Sequence, residues 1–130
     1  MSHIYTFAAT LLALLLYFAT FMNAGWARGK YGVKAPATTG NEYFERAYRV
    51  QMNTLEQLAF FLPSMWLYAL VLNDIGAAVG GVIWVIGRLI YALAYAKNPS
   101  SRGLGYGISF LAAVGLFLGA AYGVVKALLH

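Results

Sequence analysis

The sequence predicts an all-α integral membrane protein, a four-helix bundle with every helix crossing the bilayer. Three observations predict it. Hydrophobic residues make up 62% of the 130 and charged residues only 10%, whereas soluble domains carry roughly 25% charge. Four long apolar stretches follow one another, each close to the roughly 20 residues that a spanning helix needs. The breaks between them are short and hold most of the Lys, Asn and Pro.

The first predicted helix covers 4–27 and contains no charge. Trp26 near its end suits a membrane interface. A signal peptide is not expected, since the segment lacks a basic start and its apolar run is long enough to span. Residues 28–41 read as a loop holding Arg28, Lys30 and Lys34 and broken by Pro36 and Gly40. The second helix covers 43–72, with Pro63 inside it. Pro removes one backbone hydrogen bond, so a kink is expected there. Asn73 and Asp74 form the break before the third helix, 75–96, which makes helices two and three antiparallel neighbours. Lys97 to Ser101 is a turn, and the fourth helix covers 102–129. Gly115, Gly119 and Gly123 recur at spacing four, which permits close helix approach; the reading is packing within the chain. The whole of 1–130 is expected to form one membrane domain.

Loops one and three carry the basic residues and fall on the same side of a four-helix protein. Positive-inside counting puts them in the cytoplasm and both termini outside. A bacterial cytoplasmic membrane is favoured, or the endoplasmic reticulum in a eukaryote; no retention signal is evident.

Several function classes are excluded. The net charge of +5 comes with no basic face or nucleic-acid motif, so no nucleic-acid partner is expected. Cysteine is absent, which removes disulfides, thiolate metal sites and a protein-borne thiol nucleophile. His3 and His130 stand at opposite ends of the chain and no His cluster exists, so no metal is expected.

The most informative stretch is Phe44 to Pro63. As a helix it places Arg46, Arg49, Asn53 and Glu56 on one stripe, at steps of three, four and three. The opposite side carries Ala47, Val50, Thr54, Leu58 and Phe61. A polar stripe leading into an apolar run needs a partner surface, a water-filled cleft or a ligand. On the third helix Arg88, Tyr91 and Tyr95 share a face. Arg88 either pairs with Glu56 or Glu45 to lock helix two to helix three, or serves a ligand. Arg102 sits where helix four begins, although positive charge is disfavoured at a helix N-terminus. It is either a solvated arginine at the membrane face or half of an anion site with the helix end. Together these groups suit a small zwitterionic ligand with several carboxylates, because arginines clamp carboxylates in bidentate fashion.

The run from Gly40 through Phe44-Glu45-Arg46, Tyr48, Arg49, Gln51, Asn53 and Glu56 to Phe61-Leu62-Pro63 resembles the MAPEG family, the membrane-associated proteins in eicosanoid and glutathione metabolism. A second matching block is Arg88 to Tyr95, followed by Arg102. The resemblance covers nearly the whole chain. It implies a homotrimer that binds glutathione between neighbouring subunits near the cytoplasmic face. Residue by residue it implies glutathione contacts from Arg28, Arg49, Gln51, Asn53, Glu56, Tyr91 and Tyr95, and Arg102 as the catalytic arginine that holds the sulfur as thiolate. Its partners would be glutathione, a lipophilic electrophile or lipid hydroperoxide, and membrane lipids. Gln57 and Gly29 depart from the leukotriene-forming branch, which has a glutathione-contacting Tyr and a second basic residue there. General glutathione transfer is thus the expected activity, with reduction of lipid hydroperoxides as a further one. The alternative is a non-catalytic lipid- or glutathione-binding relative, against which Arg102 argues. A small drug exporter is disfavoured, because the first helix holds no carboxylate.

Overall fold

The computed structural model describes residues 2–130. Four helices follow in order: α1 (Ile4–Tyr31), α2 (Glu42–Val71), α3 (Asp74–Lys97) and α4 (Gly103–Leu128). A single 3₁₀ turn, Pro99–Ser101, leads into α4. All four helices are long and apolar enough to cross a membrane, and their outer faces expose large apolar side chains such as Leu11, Leu15, Leu70, Leu93 and Leu111. A bilayer forces this form, since backbone groups facing hydrocarbon must be bonded within the helix itself.

Local chemistry sets the boundaries. Three asparagines open helical segments as N-caps, each offering a side-chain oxygen to an orphan backbone N–H. Asn41 Oδ1 accepts from Tyr43 N at 2.9 Å and Phe44 N at 3.1 Å. Asn73 Oδ1 accepts from Gly76 N at 2.6 Å, and Asn98 Oδ1 from Ser100 N at 3.2 Å. α1 is capped from elsewhere in the chain. The Asp74 carboxylate accepts from Tyr5 N (3.1 Å), Thr6 N (2.8 Å) and Thr6 Oγ1 (2.6 Å). A negative charge at a helix N-terminus is favourable, and here it also ties α1 to α3.

α1 runs further than its composition suggests. Arg28 and Lys30 lie in its last turn, not in a loop. No breaker occurs before Gly32, which ends the helix at φ +70° with Val33 N bonded to Arg28 O at 3.1 Å. Cations in a last turn favour this extension. α2 is helical on both sides of Pro63. Loops one and three lie at the same end of the bundle. Arg46 Nη1 reaches from the first turns of α2 to the last carbonyls of α3, Ala96 O at 3.2 Å and Lys97 O at 3.4 Å.

The core centres on α2 and α3. The Phe61 and Trp84 rings stack at 4.1 Å and 2°, with Met65, Ala9, Ala13, Ala77 and Leu116 packed around them. α3 and α4 meet backbone to backbone. A Cβ added at Gly105 would lie 2.3 Å from Tyr91 N and 2.6 Å from Gly87 O; one added at Gly87 would lie 2.6 Å from Ser109 N. The stripe on α4 packs within the chain, but by two of its members. Gly119 and Gly123 receive Tyr68 and Val71 of α2, while Gly115 faces open space.

Gly105→Ala should therefore lower stability by about 1–3 kcal/mol, the usual cost of forcing bulk into a packed contact. Gly107→Ala, where an added Cβ meets nothing within 4 Å, should stay within about 0.5 kcal/mol of the parent. Unfolding in mixed micelles measures both; equal midpoints would show that the α3–α4 contact does not need the missing Cβ.

Candidate functional site

The start of α2 has two faces, as the helical spacing predicts. Ala47, Val50, Thr54, Leu58 and Phe61 are all buried. On the other stripe Arg49 and Glu56 are exposed, and Arg46 and Asn53 are half-buried. Asn53 Oδ1 is nevertheless shielded and makes no hydrogen bond. A shielded, unbonded amide oxygen marks a place where a donor belongs.

At this end the chain forms an open cleft of about 470 Å³. Glu42, Glu45, Arg46 and Arg49 of α2 form one wall, and Tyr95 and Pro99 the other. The two carboxylates are already engaged. Glu42 pairs with Arg46, and Glu45 Oε2 accepts from Gly40 N at 3.1 Å. Among the described residues that is the only ion pair. Arg49 lines the cleft without an ion-pair partner, and Arg102, outside that lining, is also without one.

Arg102 occupies the N-cap of α4 and has no capping side chain of its own. Its Nη1 donates to Pro99 O at 2.8 Å, and its guanidinium lies 6.0 Å from the Tyr95 ring centre. Tyr95 packs on Tyr91 at 5.6 Å, and the Arg88 guanidinium covers Tyr91 at 4.0 Å. Arg88, Tyr91, Tyr95 and Arg102 thus form one row leading outward from the core to the cleft.

Arg88 does not pair with Glu56 or Glu45. It is 1% exposed, and its Nη2 donates to Thr54 Oγ1 at 2.9 Å. The reason is angular. Thr54 lies on the side of α2 that packs inward, whereas Glu56 is two residues on, about 200° around the helix. Glu45 is likewise about half a turn away from Thr54 in direction. Arg88 Nε and Nη1 make no hydrogen bond, so the hydroxyl and the Tyr91 ring face are its main compensation.

The remaining expected site residues are placed differently. Arg28 turns into its own loop, donating to Ala37 O at 2.8 Å with its guanidinium 4.6 Å from the Phe44 ring. Gln51 is half-buried on α2 outside the cleft lining, and Glu56 is exposed one turn below it. The structure thus gathers Arg49, Tyr91, Tyr95 and Arg102 at one end and leaves Arg28, Gln51 and Glu56 apart within a single copy. Sequence reasoning missed two roles. Arg46 is a strut that holds α3's end, and Thr54 is the partner of Arg88. The one available signal for the latter was a lone hydroxyl on an apolar helix face.

The MAPEG family model matches residues 5–122. The chain belongs to the MAPEG family. An uncharacterized protein of Synechocystis sp. is 47% identical over 89% of this chain and 85% of its own length. Microsomal glutathione S-transferase 2 of Homo sapiens is 33% identical over 87% of this chain and 76% of that protein. Leukotriene C4 synthase of Bos taurus is 34% identical over 73% of this chain and 63% of that protein. For a MAPEG chain with such relatives, a multi-pass membrane protein with a glutathione-related function is the supported class.

Thr54→Val should cost about 1–3 kcal/mol, since it leaves a buried charge without its hydrogen bond. Thr54→Ser should recover most of that loss. Paired denaturation midpoints test this; a Val variant as stable as the parent would mean that Arg88 finds another partner.

Proposed function

We propose that this MAPEG protein is a membrane-bound glutathione transferase, with Arg102 as its catalytic residue. The observation that carries the reading is the position of Arg102. A guanidinium with no ion-pair partner stands at the N-terminus of a spanning helix, beside Tyr95, whose side chain lines an open charged cleft. Glutathione brings the thiol that a cysteine-free chain lacks. A free thiol has a pKa near 8.5, and a neighbouring cation lowers it. Arg102 and the positive end of α4 would both favour the thiolate at neutral pH. The thiol proton goes to solvent, the sulfur forms a bond to the electrophilic carbon, and the leaving group departs with its electron pair. With a lipid hydroperoxide the same sulfur takes the distal oxygen as the O–O bond breaks, and the lipid leaves as an alkoxide that picks up a proton from solvent to become the alcohol. A second glutathione thiol then displaces the sulfenate oxygen, giving the disulfide and water.

Other residues bind and orient. Arg49 suits a glutathione carboxylate, Glu56 its amine, and Asn53 offers the unbonded Oδ1 to a peptide N–H. Tyr91 and Tyr95 support Arg102. The exposed charges of Arg49 and Glu56 on a spanning helix call for a covering surface. A homotrimer supplies it in this reading, with glutathione held between neighbours and Arg28 and Gln51 completing the site from the adjacent copy. Loops one and three then face the cytoplasm, where glutathione enters. The lipophilic electrophile arrives through the bilayer, which fits a role in detoxification.

Arg102→Ala should reduce conjugation of glutathione to a chlorinated nitrobenzene by about 10²–10³-fold, the usual loss for one anion-stabilising group. Glutathione binding, measured calorimetrically, should change far less. The thiolate absorbance that appears on mixing at neutral pH should vanish. Equal turnover in the two proteins removes Arg102 from the mechanism. Tight glutathione binding with no thiolate signal in the parent would mean a binding protein instead.

A further inference from the structure

A second cavity, of about 430 Å³, opens between α1 and α3 with α2 as its floor. Its inner part is lined by Leu16, Val50, Leu89 and Leu93, with Thr20 and Asn23 further out along α1. Its outer part ends at the basic end of the bundle, where Trp26, Tyr31, Tyr43 and Arg46 surround it. From the structure we infer that this crevice is a binding site for an anionic phospholipid of the same leaflet. One acyl chain lies along the crevice, and the phosphate sits at Arg46 and Lys30.

Dimensions support one chain. Leu16 and Tyr31 are fifteen positions apart on α1, which is about 22 Å of helix. That length reaches from the headgroup level past the middle of a hydrocarbon core roughly 30 Å thick. Spread over it, 430 Å³ gives a mean cross-section of about 20 Å², that of a single hydrocarbon chain. The polarity runs the same way as a lipid. Aromatic residues with polar tips gather at the outer end, as they do at headgroup depth.

Charge selects the headgroup. Lys30 Nζ lies over Trp26 at 4.8 Å and Tyr31 at 5.4 Å, two residues that line the mouth. Arg46 Nε is shielded and makes no hydrogen bond. Arg46 is already paired with Glu42 and Glu45 accepts from Gly40 N, so Lys30, which has no ion-pair partner, supplies the free positive charge at the mouth. Basic residues at a membrane face attract anionic lipid. This inference does not rest on glutathione chemistry.

The test uses the full chain reconstituted in phosphatidylglycerol and phosphatidylcholine at one to nine. Native mass spectrometry after detergent extraction counts the lipid retained per subunit. One phosphatidylglycerol per subunit is expected, enriched several-fold over its share. Lys30→Gln should lower that enrichment. Ala92→Phe, which fills the crevice, should abolish retention while the protein keeps its helical circular dichroism. Retention of both lipids in proportion to supply overturns the proposal, as does retention unchanged in Ala92→Phe. The chain has no cysteine, so Leu93→Cys gives a unique crosslinking point. Efficient crosslinking between copies through that position would assign the crevice to a neighbouring subunit and also overturn it.

Discussion

The closest constraint in the molecule is the backbone contact of α3 with α4 at Gly87 and Gly105. With glycine on both sides, the two helices touch at a distance that any Cβ would forbid. Helices associating in lipid depend on packing of this kind, because hydrocarbon supplies no hydrophobic drive between them. The contact lies one turn inside the start of α4. It therefore fixes where Arg102 stands, three residues before Gly105, against Tyr95 on α3. Tyr91, whose backbone nitrogen faces Gly105, carries the next ring of the row. The position of the proposed catalytic guanidinium thus follows from two missing side chains.

The buried hydroxyls inside the bundle are mostly satisfied by short local bonds. Thr10, Thr54, Ser64 and Ser109 each return their hydroxyl to the carbonyl four residues earlier. Such back-bonding satisfies a hydroxyl without breaking the helix. Two of these groups also accept a second partner across helices: Trp66 Nε1 donates to Thr10 Oγ1, and Arg88 to Thr54 Oγ1. A carboxylate beside Arg88 would have seemed the natural solution. A buried ion pair, however, carries the desolvation cost of two charges, whereas a hydroxyl and an aromatic face add none. At the opposite end of the bundle a single aspartate, Asp74, closes the first turn of α1 and joins it to α3.

Much of this was legible beforehand, for reasons tied to particular residues. Helix number and type follow from apolar length alone, and Asn73-Asp74 marks a break that nothing else could make. The two faces of α2 follow from 3.6-residue spacing, so Val50, Thr54 and Phe61 are inward and Arg49 outward. The end of α1 was not legible, because Arg28 and Lys30 look like loop residues by charge but are stabilised in a last turn. Partners across helices were not legible either. Spacing shows that Arg88 shares a face with Tyr91, but the rotation of α2 against α3 decides whether Thr54 or Glu56 meets it. Gly115, Gly119 and Gly123 announced themselves by regular spacing. Gly87 and Gly105, which make the tighter contact, have no such regularity because they lie on different helices.

Arg46 lies between the two cavities and lines both. On one side the cleft is open, charged and reached from the loops. On the other the crevice is mostly apolar and lies between α1 and α3. The residue that separates them also holds the last carbonyls of α3 and pairs with Glu42. Any ligand that draws the Arg46 guanidinium away from those carbonyls would remove two hydrogen bonds from the C-terminal end of the helix that carries Tyr95. A headgroup phosphate competing for this side chain would thus act on the proposed glutathione site through the end of α3. The coupling needs no long path, because one guanidinium belongs to both walls.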